Sequence, residues 1–552
     1  MFDLRYYQEE AKAGVAAAFD RYRSTACIMA TATGKTELFL SIAVAERGRV
    51  LVLVHRDYLI TSPLERLKRV GFTDVAVEKA ESRSEGGFLK KQIVFASVQS
   101  IGPESQKHRL RTFDPKDFSL LVIDEGHRAV SQSYRNVQQH MEAGNPKLKT
   151  LILTATPKRK DGIALGTICE SVAYEMSPGK AAEEGWITPP RFFVRDVPTL
   201  DFSKVLMKGS DLDQEQVAAI LAEEESLHKL CASLADDQGP TIVFCPNVAV
   251  SQAYAKMMDS RYRRGKARAI HQHSTPEEME EATKGLADGS IDYVMNCDKL
   301  TEGYDVPRVV RVAWAAPTAS LVRWTQGCGR GFRPDAGIAK HLVGGREDSA
   351  SRRLLIEQSS KPFCSIVTYH PSNCQHQICT SVDLLGGNDL TDNVKKFAVQ
   401  VQDQTSRQPT GSDTKGDIET AKVFCELLAA LEDEHRNLRA KATVRDAEFD
   451  GMGGASVKMR DDQPSAPSST PSAVAATWKV GEWVTDKQKW WFRRQGLPPN
   501  TIDGLTKTRA SVVRDLVEKC GVKMATALGY AQRQAFAVLD SMKSRKESGG
   551  AA

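Results

Sequence analysis

The sequence predicts an α/β protein with two successive parallel-sheet units, followed by a linker and a small helical domain. Its 552 residues are long for one domain, since a domain typically has roughly 150 residues. Short apolar, β-branched runs alternate with helical patterns in the first half of the chain, and the alternation restarts near residue 240. Uninterrupted apolar runs are typical of strands buried on both faces, as in a parallel sheet covered by helices.

The apolar runs define the expected strands and the expected domain boundaries. The first unit contains the runs 50–54, 93–96, 120–124 and 150–154. The second unit contains the runs 241–245, 267–271, 291–297 and 309–315. We therefore expect the first unit at 1–180, a joining segment at 181–235 and the second unit at 236–390.

The remainder of the chain differs in composition. Residues 391–450 are predicted to form a charged helical extension, residues 451–476 a flexible linker rich in Gly, Ser, Pro and Ala, and residues 477–552 a small basic helical domain. Residues 476–552 contain 14 Lys and Arg and 7 Asp and Glu, which gives a net charge of +7. The whole chain has a net charge of +5, from 75 Lys and Arg and 70 Asp and Glu. The positive excess therefore lies in this last domain.

Two interpretations of the aromatic residues in this last domain stay open. Bases stack on aromatic rings and phosphates attract lysine and arginine, so a basic, aromatic face would suit single-stranded nucleic acid. Alternatively, Trp490, Trp491 and Phe492 form the core, because so small a domain needs large apolar residues. We favour the core for at least two of these three residues, and the basic face can still contact nucleic acid.

Composition excludes several classes of protein. Hydrophobic residues at 41% and charged residues at 26% are ordinary for a globular protein and argue against wholesale disorder or a fibrous repeat. We find no apolar stretch long enough to span a bilayer and no signal peptide, so we expect no membrane partner and a cytoplasmic location (the host cytoplasm if the protein is phage-encoded). The 11 Cys are spread thinly and are predicted to be reduced thiols.

The first candidate site is a phosphate-binding loop at residues 30–36 (ATATGKT), between an apolar run and an amphipathic stretch. In such a loop the backbone N–H groups of Thr31, Thr33 and Gly34 face the anion. Lys35 would then reach the β- and γ-phosphates, and the Thr36 hydroxyl would hold Mg²⁺. On the Gly-Lys-Thr residues alone, an ordinary surface turn is the alternative.

The second candidate site is a pair of carboxylates that follows the run ending at residue 123. Asp124 can hold the Mg²⁺ that bridges the phosphates, and Glu125 can orient and deprotonate the attacking water. The alternative is a solvated turn after a strand. By itself, His127 is more often structural than functional.

The third candidate site is QGCGRGFR at residues 326–333 in the second unit. Arg330 and Arg333 are three residues apart, on one face of a helical turn, and can clamp a transferring phosphoryl group from the opposite domain. Gln326 opens this stretch. The alternative is an arginine pair on a solvated helix face.

Taken in order, these residues resemble the superfamily 2 helicases and translocases of the DExH type. The resemblance covers roughly residues 1–390. It adds an entry motif (LRYYQ, 4–8), motifs Ia and Ib (50–56 and 97–99), a motif III (154–156) and a motif V (LTEGYDVP, 300–307) to the motifs I, II and VI described above. The family fold that it implies is two RecA-like lobes with ATP in the cleft between them.

The resemblance also implies roles for individual residues. Gln8 would read the adenine of ATP, and Arg330 and Arg333 would reach the phosphates from the second lobe. Nucleic acid would run over the opposite edge of both lobes, near His55, Arg56, Gln99 and Thr301. Contacts there would be mainly to phosphate and therefore sensitive to salt. An ordinary strand-end charge is the alternative for Arg56.

Some residues depart from the family pattern. Met29 and Ala32 stand where the phosphate loop commonly has glycine, and Ala32 is expected to tighten the loop. Motif VI opens with Gln326, motif III reads Thr-Ala-Thr, and residues 181–190 (AAEEGWITPP) resemble the lobe-joining stretch of phage and restriction-type DNA translocases. These features favour DNA over RNA.

The sequence therefore predicts an ATP- and Mg²⁺-dependent motor that moves on DNA and unwinds it. The alternatives are a translocase that remodels DNA without processive unwinding, an RNA helicase, and a nucleic-acid-binding adaptor with an inactive ATPase. The sequence does not identify protein partners.

A cluster of Cys and His residues at 364–379 is a further candidate site. Cys364, His370, Cys374, His376 and Cys379 lie within sixteen residues and suggest zinc. However, no Cys-x-x-Cys pair is present, and the spacing matches no usual zinc template. We favour the alternative, that the stretch is the strand and turn that end the second lobe.

Overall fold

The computed structural model describes most of the first 385 residues. The described residues are 2–55, 57–78, 90–129, 131–155, 168–209, 211–236, 239–263, 265–298, 306–342, 348–376 and 378–385, with 394–395, 398–399, 402, 411 and 492. The chain divides into two compact units, residues 1–389 with 402–414, and residues 390–401 with 415–552. The predicted linker (451–476) and basic helical domain (477–552) lie outside the described residues except for Phe492, which is buried.

The first lobe is built on a seven-stranded sheet with the order β3-β4-β2-β5-β6-β1-β7, in which all paired strands are parallel. Its central strands are buried on both faces because they are the uninterrupted apolar runs of the sequence. The strands are β1 (Ser24–Met29), β2 (Arg49–Val54), β3 (Val75–Glu78), β4 (Ile93–Ser97), β5 (Phe118–Ile123), β6 (Lys149–Thr154) and β7 (Ser171–Met176).

Helices pack on this sheet through apolar stripes. In α6, Tyr134, Val137 and Met141 are buried at a helical spacing, so one face of the helix joins the core. The helices of the first lobe are α1 (Tyr6–Phe19), α2 (Lys35–Ala45), α3 (Thr61–Arg69), α4 (Val98–Ile101), α5 (Lys107–Leu110), α6 (Gln132–Gly144) and α7 (Pro178–Glu183).

The second lobe is built on a six-stranded parallel sheet with the order β12-β13-β11-β14-β15-β8. A separate antiparallel hairpin lies between β8 and the next helix. The strands are β8 (Pro190–Phe202), β9 (Met207–Lys208), β10 (Asp211–Leu212), β11 (Thr241–Phe244), β12 (Ala267–Ile270), β13 (Tyr293–Asn296), β14 (Arg311–Trp314) and β15 (Cys364–Cys374).

The helices of the second lobe begin and end at residues suited to caps. Thr275 and Glu278 form a reciprocal capping box at the start of α11, and Gly289 ends that helix with a φ of 88°. The helices are α8 (Gln214–Leu221), α9 (Glu224–Ala235), α10 (Val248–Met257), α11 (Pro276–Asp288), α12 (Leu321–Cys328), α13 (Ala336–Leu342), α14 (Ser349–Glu357) and α15 (Ser381–Leu385).

The predicted fold class, two tandem parallel sheets, is confirmed. Every predicted apolar run contains a strand, and the ends differ by a few residues at most. The second sheet begins earlier than expected, because β8 lies inside the predicted joining segment (181–235) and forms the edge of that sheet. Its buried and exposed residues largely alternate, as in an edge strand, so it lacks the uninterrupted apolar run that marked the others. Among the described helices, none has the length and apolar character that a membrane crossing requires.

Candidate functional site

The predicted phosphate loop connects β1 to α2. Gly34 directly precedes α2 and has a φ of 79°, so the chain turns into the helix through a left-handed residue. Thr33 Oγ1 donates to the carbonyl oxygen of Ala30 at 2.6 Å and closes the turn. The first N–H groups of α2 have no partner within the helix and can therefore bind an anion.

The entry motif holds this loop in place. Tyr7 donates from its hydroxyl to the Thr33 carbonyl oxygen at 2.7 Å. Gln8 Nε2 donates to the carbonyl oxygens of Thr33 at 3.2 Å and Gly34 at 3.1 Å, and its Oε1 accepts from the Arg5 N–H at 2.9 Å. The structure therefore brings Gln8 to the phosphate loop, and its predicted contact with adenine stays a prediction. Sequence reasoning missed Tyr7 as a support of the loop.

Lys35 lies over the loop. Its Nζ donates to the carbonyl oxygen of Met29 at 3.0 Å and faces that of Ala30 at 3.5 Å. Burial lowers the pKa of Lys35, and the positive charge of Arg330 lowers it further, whereas the carboxylates of Glu125 and Asp124 raise it. Lys35 is thus surrounded by groups from both lobes.

The two predicted carboxylates follow β5. The Glu125 N–H donates to Asp124 Oδ1 at 2.9 Å, and Glu125 has a φ of 53°, in the left-handed region. His127 is buried, and its Nδ1 lies 3.4 Å from Glu125 Oε2. The turn orients the Glu125 carboxylate and places His127 beside it. That neighbour was not expected from the sequence.

Gly126 allows this turn to pack on the sheet. A Cβ at Gly126 would lie 2.3 Å from Ile152 Cγ2 of β6, which is closer than real Cβ atoms come. Glycine is therefore needed between the carboxylates and His127. The motif III residues at the end of β6 are described only in part. Thr154 is buried, and Thr156 lies outside the described residues.

The second lobe meets the first at Glu125. Gln326 is buried in α12, and its Nε2 donates to Glu125 Oε2 at 3.2 Å. Just after α12, a Cβ at Gly329 would lie 2.4 Å from Thr31 Cβ in the phosphate loop. Only glycine lets the backbone approach the loop so closely. Predicted residues of motifs I, II and VI therefore lie together where the two lobes meet.

The two arginines have different surroundings. Arg330 is close enough to Lys35 for its charge to lower the pKa of that lysine. Burial lowers the pKa of Arg333, and the charge of Arg5 lowers it further. Burial, followed by the charges of Arg333 and Arg69, lowers the pKa of Arg66 to about 10. Arg66, which forms an ion pair with Glu37 of α2, was not identified from the sequence, because its helix carries several basic residues in no motif.

The predicted nucleic-acid residues are described only in part. His55 directly follows β2, and the exposed Gln99 lies in α4, directly after β4. These strands are parallel neighbours, so both residues lie at the carboxyl edge of the first sheet. Arg56 and Thr301 lie outside the described residues. Their contacts with nucleic acid stay predictions.

The Cys and His cluster is spread along β15 and the residues that follow it. Cys364 begins this strand and Cys374 ends it, a separation of about 30 Å at the usual rise of a strand. His376 Nε2 lies 2.8 Å from the Val205 carbonyl oxygen, and Cys374 Sγ donates to the His376 carbonyl oxygen at 3.4 Å. No group of three or more His, Cys, Asp or Glu residues is arranged to hold a metal ion within the described ranges. The favoured alternative, a strand and turn, agrees with β15.

Two sequence families match the chain. Residues 1–159 match the family described as type III restriction enzyme, res subunit, and residues 223–335 match the helicase conserved C-terminal domain. The first match contains the phosphate loop and the carboxylates, and the second contains Gln326, Arg330 and Arg333. The predicted resemblance to superfamily 2 helicases of the restriction and phage type is confirmed.

Individual relatives agree with these matches. A protein of Schizosaccharomyces pombe named as the mitochondrial ATP-dependent helicase irc3 is 29% identical over 357 residues, which are 62% of this chain and 56% of the relative. ATP-dependent DNA helicase MPH1 of Saccharomyces cerevisiae is 27% identical over 147 residues, which are 25% of this chain and 14% of the relative. The chain thus spans little more than half of the irc3 protein and a small part of MPH1.

A solved structure supports the fold. A fragment of an HsdR subunit of a type I restriction enzyme from Vibrio vulnificus superposes with a TM-score of 0.50 and 20% sequence identity, over 70% of this chain and 66% of that one. At this identity the likeness concerns the fold alone, and it agrees with two tandem RecA-like lobes.

Proposed function

We propose that this chain, which carries the two helicase domains of superfamily 2, is an ATP-dependent helicase or translocase that acts on DNA. The observation that carries the proposal is the hydrogen bond from Gln326 of the second lobe to Glu125 of the first, at 3.2 Å. Through it, the group proposed to activate water contacts both lobes. ATP hydrolysis can then be coupled to the relative position of the lobes.

The loop has the features that a triphosphate requires. Gly34 directly precedes α2, and the free N–H groups at the start of this helix can bind an anion. Lys35 adds a positive charge. The carbonyl oxygens that now accept from Lys35 Nζ are neutral. A phosphate anion is a stronger acceptor for an ammonium group, so Lys35 would turn to the β- and γ-phosphates.

The donor set at the cleft fits Mg²⁺. This ion prefers oxygen ligands, and the Thr36 hydroxyl and the Asp124 carboxylate would provide two beside the phosphates. Bound Mg²⁺ neutralises charge on the phosphates during hydrolysis. Glu125 would accept the proton of the attacking water, with His127 and Gln326 fixing the direction of its carboxylate.

Arg330 is proposed to stabilise the charge that develops on the transferred phosphoryl group. It approaches from the second lobe and already affects the pKa of Lys35. Arg333 is proposed to act nearby, on the side of Arg5 and Arg66. The convergence of these groups argues against the alternative of an adaptor with an inactive ATPase.

DNA is the proposed track. The relative MPH1 is named as a DNA helicase, and the departures in motifs III and VI favour DNA. His55 and Gln99 lie at one sheet edge, where nonspecific contacts with the phosphate backbone are expected. An RNA helicase would use the same cleft and differ in its substrate, whereas a translocase that remodels DNA would use the same cleft and substrate without processive unwinding.

A nucleic-acid panel tests the proposal. ATP hydrolysis is measured with single-stranded DNA, forked DNA and RNA, at several salt concentrations, for the natural chain, Lys35→Ala and the exposed-lysine control Lys107→Ala. We expect DNA to stimulate hydrolysis more than RNA does, stimulation to weaken as salt rises, and only Lys35→Ala to abolish turnover. If RNA stimulates ATP hydrolysis more strongly than DNA does, the proposed track is RNA and not DNA. Equal rates for the natural chain and Lys35→Ala would refute the site.

A further inference from the structure

A buried arginine of the second lobe packs against the segment that joins the lobes. Arg352 lies in α14 and is 2% exposed. Its guanidinium carbon lies 4.0 Å from the centre of the Trp186 ring, and its Nε donates to the carbonyl oxygen of Glu184 at 2.8 Å. A cation over an aromatic ring is attracted to it more strongly when both are shielded from water. Arg352 therefore fastens residues 184–186 to the second lobe.

The backbone of this segment is shaped to receive α14. Gly185 follows the end of α7 with a φ of 72°, and its N–H donates to the Ala182 carbonyl oxygen at 3.0 Å. Helices commonly end at a left-handed glycine of this kind. A Cβ at Gly185 would lie 2.8 Å from Arg352 Cβ, which is closer than real Cβ atoms come. Glycine therefore allows α14 to pack directly on the backbone of the joining segment.

Trp186 connects Arg352 with the entry motif of the first lobe. The Trp186 ring is fully buried, and its centre lies 5.0 Å from that of Tyr7 and 5.5 Å from that of Tyr6. Its Nε1 donates to Glu184 Oε2 at 3.0 Å, and the same oxygen accepts from the Tyr6 hydroxyl. Because buried side chains are close-packed, a shift of the Trp186 ring would displace its aromatic neighbours.

Tyr7 completes a path of contacts to the phosphate loop. Its side chain is fully buried, and its hydroxyl donates to the Thr33 carbonyl oxygen at 2.7 Å. Thr33 in turn closes the loop with its own side chain. Direct contacts therefore run from Arg352 in the second lobe, through Trp186 and Tyr7, to the loop that is proposed to bind the phosphates of ATP.

This path is separate from the contact at Glu125. That contact is made by Gln326 of α12, whereas Arg352 belongs to α14 and lies outside the motifs identified in the sequence. A buried guanidinium loses its hydration, which an apolar side chain of similar volume would not. A planar group that stacks on Trp186 and also donates to Glu184 fixes the orientation of both residues. The choice of arginine therefore indicates that this orientation matters.

We propose that Arg352 is a positioning residue of the ATP site, which stacks on Trp186 and thereby holds Tyr7 against the phosphate loop. The proposal rests on the proposed function and adds a residue that acts on nucleotide affinity rather than on the chemical step. With the stack in place, the loop is ordered before ATP binds. Without it, the ligand must order the loop, and affinity falls.

Nucleotide affinity provides the first test. Arg352→Met removes the guanidinium, Arg352→Lys keeps a charge without the planar group, and Arg353→Met changes the neighbouring exposed arginine of α14 as a control. We expect the dissociation constant of a fluorescent ATP analogue to rise about tenfold in Arg352→Met, to rise less in Arg352→Lys and to stay unchanged in the control. The turnover number for ATP hydrolysis on DNA should change less than about twofold. An unchanged dissociation constant, or a loss confined to turnover, would overturn the proposal.

A double-mutant cycle tests the path itself. Tyr7→Phe keeps the ring beside Trp186 and removes the hydroxyl that donates to Thr33. By itself it should raise the dissociation constant of the ATP analogue about fivefold, through the loss of one hydrogen bond. When Tyr7→Phe is present, Arg352→Met should raise that constant less than about twofold further, because the path is already interrupted. Losses that multiply in full would show that Arg352 does not act through Tyr7.

Hydrogen exchange tests the positioning role without ATP. Amide exchange of residues 30–36, the phosphate loop, is compared with that of residues 93–97, β4, in nucleotide-free chains. We expect exchange in the loop to be about tenfold faster in Arg352→Met than in Arg353→Met, and exchange in β4 to be equal. Arg352→Lys serves the same comparison if the methionine variant does not fold.

The pattern of exchange separates this inference from the proposed function. Equal acceleration in the loop and in β4 would indicate a general loss of stability and would overturn the positioning role of Arg352. Acceleration confined to the loop would support that role. If the natural chain then failed to bind the ATP analogue, the positioning of the loop would stand and the proposed motor function would be refuted.

Discussion

The two walls of the proposed ATP site are built in different ways. The first lobe contributes backbone in sparsely populated conformations, since Ala32 and Glu125 have φ values of 70° and 53°. The second lobe contributes side chains from α12, and its backbone is right-handed at Cys328 and Gly329. A left-handed conformation costs an L-residue about 1–2 kcal/mol. Backbone strain is therefore concentrated in the first wall.

This difference suggests different roles for the two walls of the site. Of the three described non-glycine residues with positive φ, two are in the first wall and the third, Asp298, lies beside Arg323 of α12. Strain of this kind persists only where the surrounding structure holds it, and it is common at functional sites. We infer that the first wall is formed before ATP binds.

The largest expected effect tests whether the walls meet at Glu125. Glu125→Gln removes the proposed proton acceptor and should lower the ATP turnover number about 1000-fold. Gln326→Ala removes one hydrogen bond to that carboxylate and should lower the turnover number about tenfold. Both are measured by steady-state ATP hydrolysis on DNA, with Gln358→Ala, an exposed glutamine of the same lobe, as the control.

The variant that combines Glu125→Gln with Gln326→Ala tests whether these two residues act through the same step. If Gln326 acts by orienting the Glu125 carboxylate, Gln326→Ala should add little to the loss caused by Glu125→Gln. Binding of a fluorescent ATP analogue should persist in all three variants. Fully multiplied losses would mean that the walls contribute independently, and the coupling proposed here would be refuted.

The next effect concerns the packing that supports the strained turn at Glu125. Gly126→Ala places a methyl group against Ile152 Cγ2 and should lower the free energy of unfolding by about 1–3 kcal/mol. Ile152→Leu removes the branch at Cβ while keeping the volume, so it should restore much of the loss in the double variant. Urea unfolding measures all four chains. If Gly126→Ala leaves the free energy of unfolding unchanged, the packing around Glu125 can adjust to the added methyl group.

The residues of the first wall were largely predictable from the sequence, whereas its conformation was not. Lys35, Asp124 and Glu125 stand in motifs whose chemistry depends on residue type, so they could be identified without coordinates. The left-handed backbone at Glu125 depends on how β5 and β6 pack around Gly126, and no local pattern reports such packing. The predicted strands followed from apolar runs in the same way.

The second wall was less predictable. Gln326 and Arg330 were identified by their motif, but the partner of Gln326 is 201 residues away along the chain and could not be inferred from spacing. The hairpin at 207–212 is too short to produce a periodic pattern, and β8 alternates because it is an edge strand. Short and edge elements depend on tertiary contacts that a linear pattern does not contain.

A smaller effect concerns the support of the second wall and depends on pH. Lys361 is buried, and its Nζ donates to the carbonyl oxygens of Arg333 at 2.7 Å and Pro307 at 3.0 Å. Burial lowers its pKa to about 8, below the value near 10.4 expected in the unfolded chain. Between these values the unfolded chain binds a proton that the folded chain lacks, so this lysine makes the free energy of unfolding rise with pH.

The comparison with Lys361→Met isolates that contribution. Urea unfolding of both chains is measured in half-unit steps from pH 7 to pH 10.5. We expect the stability of the natural chain relative to the variant to be constant below pH 8 and to rise above it as the folded lysine loses its proton. A constant difference over the whole range would mean that Lys361 keeps its proton in the folded state.

The smallest expected effect concerns Ala32 and tests the strain in the first wall directly. Ala32→Gly removes the Cβ that makes a φ of 70° unfavourable, which should stabilise the fold by about 1–2 kcal/mol, but it also increases the freedom of the unfolded chain, which offsets about 0.5–1 kcal/mol. The net gain should be between about 0 and 1.5 kcal/mol by urea unfolding. Ala182→Gly, within the right-handed helix α7, should instead lose about 1 kcal/mol.

The affinity for a nucleotide tests whether the strained backbone at Ala32 contributes to binding. If Ala32 keeps the phosphate loop in one conformation, Ala32→Gly should weaken binding of an ATP analogue although it stabilises the fold, because the freed loop must be ordered again by the ligand. Opposite signs for stability and affinity are the signature of a wall formed in advance. Stabilisation with unchanged or tighter binding would show that the φ of Ala32 does not prepare the site, so that Glu125 alone would supply strain with a role in the first wall.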